Sequence, residues 1–256
     1  MENYDVVVIG AGPAGYVCAI RSAQLGLKTA IIDKQWLGGV CLNVGCIPSK
    51  SLLRNAEVAH ILRERSKEFG FSFDNLSLDY GVAVKRSRQV SDRLTKGVGF
   101  LMKKNNIPVY IGSAKITSLD TITVTDSEGK ITELKTKNIV VASGATTMVP
   151  PTWKVDGKNI LTYLEAILQP ALPKSAIIIG AGAIGVEFAT IWSAYGVPVS
   201  IVEMLPRLVP LEDEEVSAEL AKAFAKRKIN TLVGHRVESL EASNAGVSLR
   251  ATGENG

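Results

Sequence analysis

One pattern occurs twice in this chain at a fixed separation, and it leaves few folds open. Val6-Val7-Val8-Ile9 is a continuous β-branched run, the mark of a parallel strand buried on both faces, and it leads into Gly10-Ala11-Gly12-Pro13-Ala14-Gly15. An alanine-rich helix is predicted from there to about Leu25, closed by Gly26, and a second strand over Lys28 to Ile32 ends at Asp33. The same order returns as a strand over Ala176 to Ile179, then Gly180-Ala181-Gly182-Ala183-Ile184-Gly185, a helix over Val186 to Tyr195, and a strand over Val199 to Val202 ending at Glu203. Gly10, Gly12, Gly15, Gly26 and Asp33 recur as Gly180, Gly182, Gly185, Gly196 and Glu203, each 170 residues on.

Strand, G-x-G-x-x-G turn, helix, strand and terminal acid together read as a dinucleotide-binding βαβ unit. The first glycine permits the tight turn, the second lets the backbone approach a pyrophosphate, and the third lets the helix pack close to the strand. The diphosphate then meets the N–H groups and positive dipole end of the helix N-terminus. The acid accepts hydrogen bonds from a ribose. At Glu203 a carboxylate would bond the 2′-hydroxyl of NAD and repel the 2′-phosphate of NADP, although Arg207 lies close in sequence. Two such units predict an α/β chain with two Rossmann-like domains.

Between the copies, residues 50–70 and 80–105 are predicted helices, and from Ile107 the period falls to two. Thr121-Ile122-Thr123-Val124-Thr125 alternates, Asp126 to Lys130 supplies a turn, and Ile131 to Leu134 returns, a small antiparallel meander. Asn138 to Ala142 reads as a further buried strand ending at Ser143-Gly144, where small residues let a backbone or cofactor come close. Pro150-Pro151 and Asp156-Gly157 mark the expected boundary, giving domains 1–149 and 150–256. Beyond the second copy a helix over Asp213 to Lys228 and strands near Thr231–Val233 and Val247–Arg250 are predicted. Gly253-Glu254-Asn255-Gly256 reads as a hairpin turn without its return strand, so the chain is expected to be part of something longer.

Composition narrows the function classes. The 256 residues are 46% apolar and 21% charged with a formal charge of +4, ordinary values for a globular protein. Lys85, Arg86, Arg88, Arg93, Lys96, Lys103 and Lys104 cluster, but no aromatic platform accompanies them, so they read as a solvated helix face and not a nucleic-acid surface. No apolar run approaches the roughly 18–20 residues of a membrane span. The first strand begins almost at once, leaving no room for a leader peptide, so the expected compartment is the cytoplasm.

The chemistry-bearing stretch is Gly38-Gly39-Val40-Cys41-Leu42-Asn43-Val44-Gly45-Cys46-Ile47-Pro48-Ser49-Lys50, just after the first copy. Three cysteines do not make a secreted disulfide framework, and a close pair in a cytosolic chain is catalytic or metal-binding. Neither His60 nor His235 has a spacing that would complete a metal site, so no metal is expected and both read as structural. Cys18 reads as a small core hydrophobe. In a regular helix residues i and i+5 have Cα atoms ~8–9 Å apart, and a disulfide wants less than about 7 Å. A Cys41–Cys46 bridge therefore requires a distorted or partly helical segment, for which Gly45 supplies freedom, and a bridge in so short a loop would be labile.

The cysteine motif, the two glycine turns and the Val140-Val141-Ala142-Ser143-Gly144-Ala145 stretch resemble the pyridine nucleotide-disulfide oxidoreductases, flavoproteins with two nucleotide sites. The wording of the cysteine motif is most similar to members that oxidise dihydrolipoamide. The resemblance covers essentially the whole chain but only the N-terminal part of the family's length. It implies that Gly10, Gly12, Gly15 and Asp33 hold FAD, with Lys50 beside the flavin ring and Ala114, Ser143 and Gly144 touching the cofactor. It implies that Cys46 is the thiol next to the flavin and that Cys41 exchanges with dihydrolipoamide. Gly180, Gly182, Gly185, Glu203 and Val237 would form the NAD site, with Glu187 near the nicotinamide. The implied partner is a lipoyl domain of a 2-oxoacid dehydrogenase or glycine cleavage complex, and the implied assembly a homodimer.

Departures from the family pattern also carry expectations. Asp33 stands where Glu is usual, one methylene shorter but still within reach of a ribose, and Val40 and Ser143 stand where Thr is common. The family's Gly-Asp segment after the NAD domain and its C-terminal interface domain, with a His–Glu base pair, are not seen, and neither His60 nor His235 matches that histidine. Weak FAD binding and little turnover are therefore expected of this chain alone. The alternatives are another disulfide reductase of the mercuric or glutathione type, or a non-catalytic nucleotide-binding fragment.

Overall fold

The structure, a computed structural model, describes residues 2–243 and 246–253. In chain order the elements are β1 (Glu2–Ile9), α1 (Pro13–Gln24), β2 (Thr29–Asp33), α2 (Gly39–Val44), α3 (Cys46–Glu64), α4 (Tyr80–Lys104), β3 (Val109–Ile111), β4 (Ser113–Ser118), β5 (Thr121–Thr125) and β6 (Ile131–Val141). They continue with α5 (Tyr163–Leu168), β7 (Ala176–Ile179), α6 (Ala183–Ala194), β8 (Val199–Val202), α7 (Glu214–Lys226), β9 (Asn230–Leu232), β10 (Arg236–Ser243) and β11 (Gly246–Thr252). The chain divides into two compact units, one made of the residues up to Pro48 with Arg88–Thr146, the other of Ser49–Ser87 with everything from Thr147 onward.

The first unit is built on one six-stranded sheet in the order β3-β2-β1-β6-β5-β4. β1 pairs in parallel with β2 on one side, Val8 opposite Ile31, and with β6 on the other, Val8 opposite Val140. Alternation sorts the side chains by face. Val6, Val8 and Ile31 pack with Ala19 of α1 and with Val98 and Met102 of α4, whereas Val7, Ala30 and Ile32 pack with Ile122, Val124 and Leu134. Val7, Val8 and Ile31 are wholly buried, as a strand covered on both faces requires.

The expected antiparallel meander continues this sheet. Ile131 to Leu134 and Asn138 to Ala142, read from sequence as two strands, fall in the single eleven-residue β6, which ends at Val141. Its first half pairs antiparallel with β5, Leu134 opposite Ile122, and from Leu134 onward it pairs in parallel with β1, Leu134 opposite Glu2. Leu134, with neighbours on both sides, is fully buried. The intervening Thr136, Lys137 and Asn138 look like a break in sequence. Thr136 Oγ1 donates to the Asn138 carbonyl at 2.8 Å, and Asn138 Nδ2 to the Asp5 carbonyl at 3.0 Å, so the polar side chains are satisfied within the ladder.

In the second unit β7, β8 and β9 form a three-stranded parallel sheet and β10 and β11 a separate two-stranded one. α6 supplies Phe188, Ala189, Ile191 and Trp192 to the core, with the Phe188 and Trp192 rings 5.2 Å apart. Among the described residues β7 pairs only with β8, and Ile177 and Ile179 are 48% and 38% exposed, in contrast to their counterparts in β1.

Residues 49–87 were expected in the first domain, yet they group with the second unit. The contacts say why. Arg63 Nη1 donates to the Ala194 carbonyl at 3.0 Å, placing a cation at the C-terminal end of α6, and Tyr80 meets Tyr195 edge-on at 5.1 Å. The other division falls at Thr146–Thr147.

The predicted 50–70 helix begins earlier and stops sooner, as α3. α5 and β10 were not anticipated. α5 carries a full capping box, in which the Thr162 hydroxyl accepts from Leu164 N–H and Glu165 accepts from Thr162 N–H, so T-x-x-E was the readable signal. β10 hides its alternation behind a bulge between Val237 and Ser239. The turn predicted at Gly253–Gly256 lies, beyond Gly253, outside the described residues.

Candidate functional site

The first glycine turn is assembled within its own unit. Gly10 has φ +104°, and a Cβ there would lie 2.1 Å from the Ala142 carbonyl oxygen, so only glycine fits beside the end of β6. A Cβ at Gly15 would lie 1.8 Å from the Gly10 oxygen, which is the helix-to-strand approach the spacing predicted. Gly12 is the N-cap of α1 with no side chain capping the helix and no acid in the first turn. The twelve-residue helix therefore offers unsatisfied N–H groups and a positive end. Asp33 ends β2 and draws the turn in: Ala11 N–H donates to its Oδ2 at 2.7 Å, and Gln35 and Trp36 N–H donate to its Oδ1, each at 2.8 Å.

The second turn repeats this geometry. Gly180 has φ +100°, a Cβ at Gly185 would lie 2.0 Å from the Gly180 oxygen, and Gly182 is the uncapped N-cap of α6. Ala181 N–H donates to Glu203 Oε2 and Leu205 N–H to Glu203 Oε1, both at 2.7 Å. The loops after the two acids also correspond. Gly38 N–H donates to the Ala11 carbonyl and Val209 N–H to the Ala181 carbonyl, each at 2.8 Å. Val209 holds this bond at φ +41°, rare for a β-branched residue, and nothing in its sequence signals it. Arg207, which sequence left open as an NADP-type contact, is committed to its own loop. Its Nη1 meets Glu214 at 2.7 Å and its Nη2 the Pro210 carbonyl at 3.2 Å.

The thiol segment follows directly from the first turn. Gly38 and Gly39 take φ +89° and +60°, and a Cβ at Gly39 would lie 2.5 Å from Gly12 Cα. The segment carrying the cysteines thus begins pressed against Gly12, the N-cap of α1, a contact sequence reasoning did not find. α2 carries Cys41, half-buried against the core, and stops at Val44. Gly45, at φ −128° and ψ −115°, interrupts the helix, and α3 starts at Cys46, which is exposed. The pair is therefore not in one regular helix, as the disulfide geometry demanded. Asn43 Nδ2 donates to the carbonyls of Leu37 at 3.0 Å and Gly39 at 2.8 Å, and Arg88 donates to the Asn43 carbonyl, so α2 is pinned at both ends.

The remaining predicted site residues are placed as follows. Ala114 lies on β4 opposite Val124, and Ser143 and Gly144 follow the end of β6, exposed. Lys50, four residues beyond Cys46 on α3, pairs with Glu187 on α6, a contact not foreseen although both residues were named. Val237 sits in the β10–β11 hairpin, opposite Ala251 and apart from the sheet that carries the second turn. The hairpin is tied back where His235 N–H donates to the Glu203 carbonyl at 2.9 Å. Among the described residues no helix is long and apolar enough to cross a membrane.

Two uncapped glycine turns, two acids that bond back to them and a thiol segment packed against the first turn can be compared with known proteins. The chain is 51% identical over 250 residues to a dihydrolipoyl dehydrogenase of Mycobacterium leprae, covering 96% of this chain and 53% of that protein. Among solved structures it resembles LpdA of Mycobacterium tuberculosis, with 26% identity, a TM-score of 0.89 and coverage of 98% of this chain and 55% of that one. It also resembles the Cu(II) complex of RclA, an HOCl-induced flavoprotein disulfide reductase of Escherichia coli, at 26% identity and a TM-score of 0.83, covering 98% and 53%. The chain thus spans about half the length of the relatives it matches. Residues 4–256 match the pyridine nucleotide-disulphide oxidoreductase family, and with its duplicated turn and the thiol segment between the copies, the chain belongs to that family.

Proposed function

We propose that the protein is a flavin-dependent disulfide oxidoreductase that oxidises protein-bound dihydrolipoamide through Cys41–Cys46 and reduces NAD. The observation that carries this reading is the interrupted helix at Gly45, which sets Cys41 and Cys46 on separate helices in a segment pressed against the first phosphate turn. The name shared by its relatives, dihydrolipoyl dehydrogenase, supports the choice of substrate.

The uncapped N-terminus of α1, with Gly10 and Gly15 too crowded for a Cβ, fits the diphosphate of FAD, and that of α6, with Gly185 equally crowded and Gly180 at positive φ, fits NAD. FAD, when bound, supplies a two-electron carrier between the thiols and NAD. The chain's residues do the rest. A substrate thiolate attacks the Cys41 sulfur of the oxidised pair and forms a mixed disulfide, releasing Cys46 as a thiolate; the second substrate thiolate then attacks its own mixed-disulfide sulfur and releases Cys41. The products are a cyclic substrate disulfide and a reduced cysteine pair, with two electrons moved and two protons released. Lys50 would supply a positive charge beside FAD, and Glu187 pairs with that ammonium. Asp33 and Glu203 would accept from the riboses, while Gly144, Ser143, Ala114 and Val237 would line the nucleotides. The partner would be a lipoyl domain of a 2-oxoacid dehydrogenase or glycine cleavage complex, and the working assembly a cytoplasmic homodimer.

Reduction of the purified flavoprotein with a dithiol tests the reading. A long-wavelength thiolate-to-flavin absorption is expected, lost in Cys46→Ser and retained in Cys41→Ser. A folded protein that takes up no flavin, or a band unaffected by Cys46→Ser, overturns it.

A further inference from the structure

The helix that carries Cys41 is too short to hold itself. α2 has six residues, starts from Gly38 and Gly39 at positive φ and ends against Gly45. Helices of under about 12 residues are marginal without outside support. Leu42 and Val44 are buried, and Cys41 packs against the core. Such packing is non-directional. It fixes how deep α2 lies but not how it is turned, and the turn decides where the Cys41 sulfur points.

Three hydrogen bonds supply the direction. The Asn43 amide donates to the Leu37 and Gly39 carbonyls and fastens α2 to the loop before it. Arg88 donates to the main-chain carbonyl of the same residue, in the last turn of α2, where carbonyls lack helical partners and a cation is favoured. Arg88 was read from sequence as part of a solvated face, yet it is half-buried, and it stands on α4, whose Val98 and Met102 belong to the core that holds Leu42. Asn43 lies two residues from Cys41 and three from Cys46, so a rotation of its peptide is passed to both.

We propose that Arg88 and Asn43 are positioning residues for the thiol pair, which together fix the rotation of α2 and so the approach of the Cys41 sulfur to Cys46. Each acts through the backbone of α2. This inference rests on the disulfide exchange proposed above and adds to it which side chains make the intramolecular step fast.

The test isolates that step. Reduced protein is mixed with glutathione disulfide. One cysteine thiolate displaces a glutathione and forms a mixed disulfide; the other then attacks the cysteine sulfur of that disulfide, closing Cys41–Cys46 and releasing the second glutathione. Acid quenching and mass spectrometry follow the two steps separately. Closure is expected to slow about tenfold in Arg88→Met and in Asn43→Ala with the first step unchanged, and Arg88→Lys, which keeps a charged donor, should recover most of the rate. Arg63→Met is the control. It removes the same kind of bond, from a guanidinium to the Ala194 carbonyl at the end of α6, and should leave closure unchanged. Closure as fast in Arg88→Met and Asn43→Ala as in the parent, or slowed equally by Arg63→Met, overturns the inference while leaving the flavin reading intact. Closure needs no flavin, so a protein that closes the pair but takes up no FAD overturns the flavin reading alone. A parent protein in which Cys41 and Cys46 do not close removes both.

Discussion

Gly39 and Gly12 are packed backbone to backbone, so closely that a Cβ on Gly39 would stand 2.5 Å from Gly12 Cα. One of these glycines opens the thiol segment and the other is the uncapped N-cap of α1. The thiols are therefore placed by the same few backbone atoms that would bind the nucleotide, without any side chain between them.

Gly39→Ala tests this. The residue combines φ +60° with that contact, so the change should cost ~2 kcal/mol or more and reduce the flavin retained on purification. Gly26→Ala, at φ +85° but with open space around it, is the control and should cost about 1 kcal/mol with flavin retention unchanged. Thermal unfolding and the flavin-to-protein absorbance ratio read both.

Gly45→Ala should act on the thiols. Its Cβ would lie 3.0 Å from the Val40 carbonyl oxygen and 3.3 Å from Cys41 Cα, and relieving that crowding moves α2 away from α3 at a cost of about 1–3 kcal/mol. The expected signature is slower closure of the Cys41–Cys46 disulfide, followed by thiol titration during oxidation. Unchanged closure would show that the interruption does not position the pair.

Lys50→Met separates stability from redox tuning. The Lys50 side chain is 60% exposed, so losing its pairing with Glu187 should change unfolding free energy by less than about 1 kcal/mol. The bound flavin should nevertheless become harder to reduce, its midpoint potential moving negative because the cation that favours the anionic reduced form is gone. A potentiometric titration reads the shift.

Tyr80 contributes to an alkaline limb. Burial pushes its phenol up to about 12, above the ordinary value near 10. The folded state then holds a proton that the unfolded state has released, so stability falls as pH rises from about 10 towards 12. Tyr80→Phe should remove roughly 2–3 kcal/mol of that loss at the upper end. Denaturant midpoints of the two proteins, compared from pH 8 to the alkaline side, check the prediction.

Much of this architecture was legible because it is local. The two glycine turns, their helices and their terminal acids carry their constraints within about thirty residues, and the offset between Gly10 and Gly180 identifies the second copy from the first. What escaped is what two distant segments settle between them. No property of Gly39 alone points to Gly12, and no property of Lys50 points to Glu187. Residues 49–87 follow the first copy in sequence but pack with the second unit, because Arg63 and Tyr80 find their partners on and just beyond α6. β6 was divided in two because Thr136 and Asn138 look like turn residues until their hydrogen bonds within the ladder are seen.

β6 also dictates an order of events in the cell. It is the last strand of the first unit to be synthesised, yet it lies in the interior of the sheet, between β1 and β5. β1 leaves the ribosome before β6 and must wait, with one edge open, until Leu134 to Val141 arrive to pair with it. Contacts so far apart in sequence form slowly and leave an apolar strand exposed to wrong partners in the meantime. The sheet that carries the thiol segment is therefore completed only after both long helices α3 and α4 have been made, and a nascent chain stalled before Val141 should need a chaperone to stay soluble.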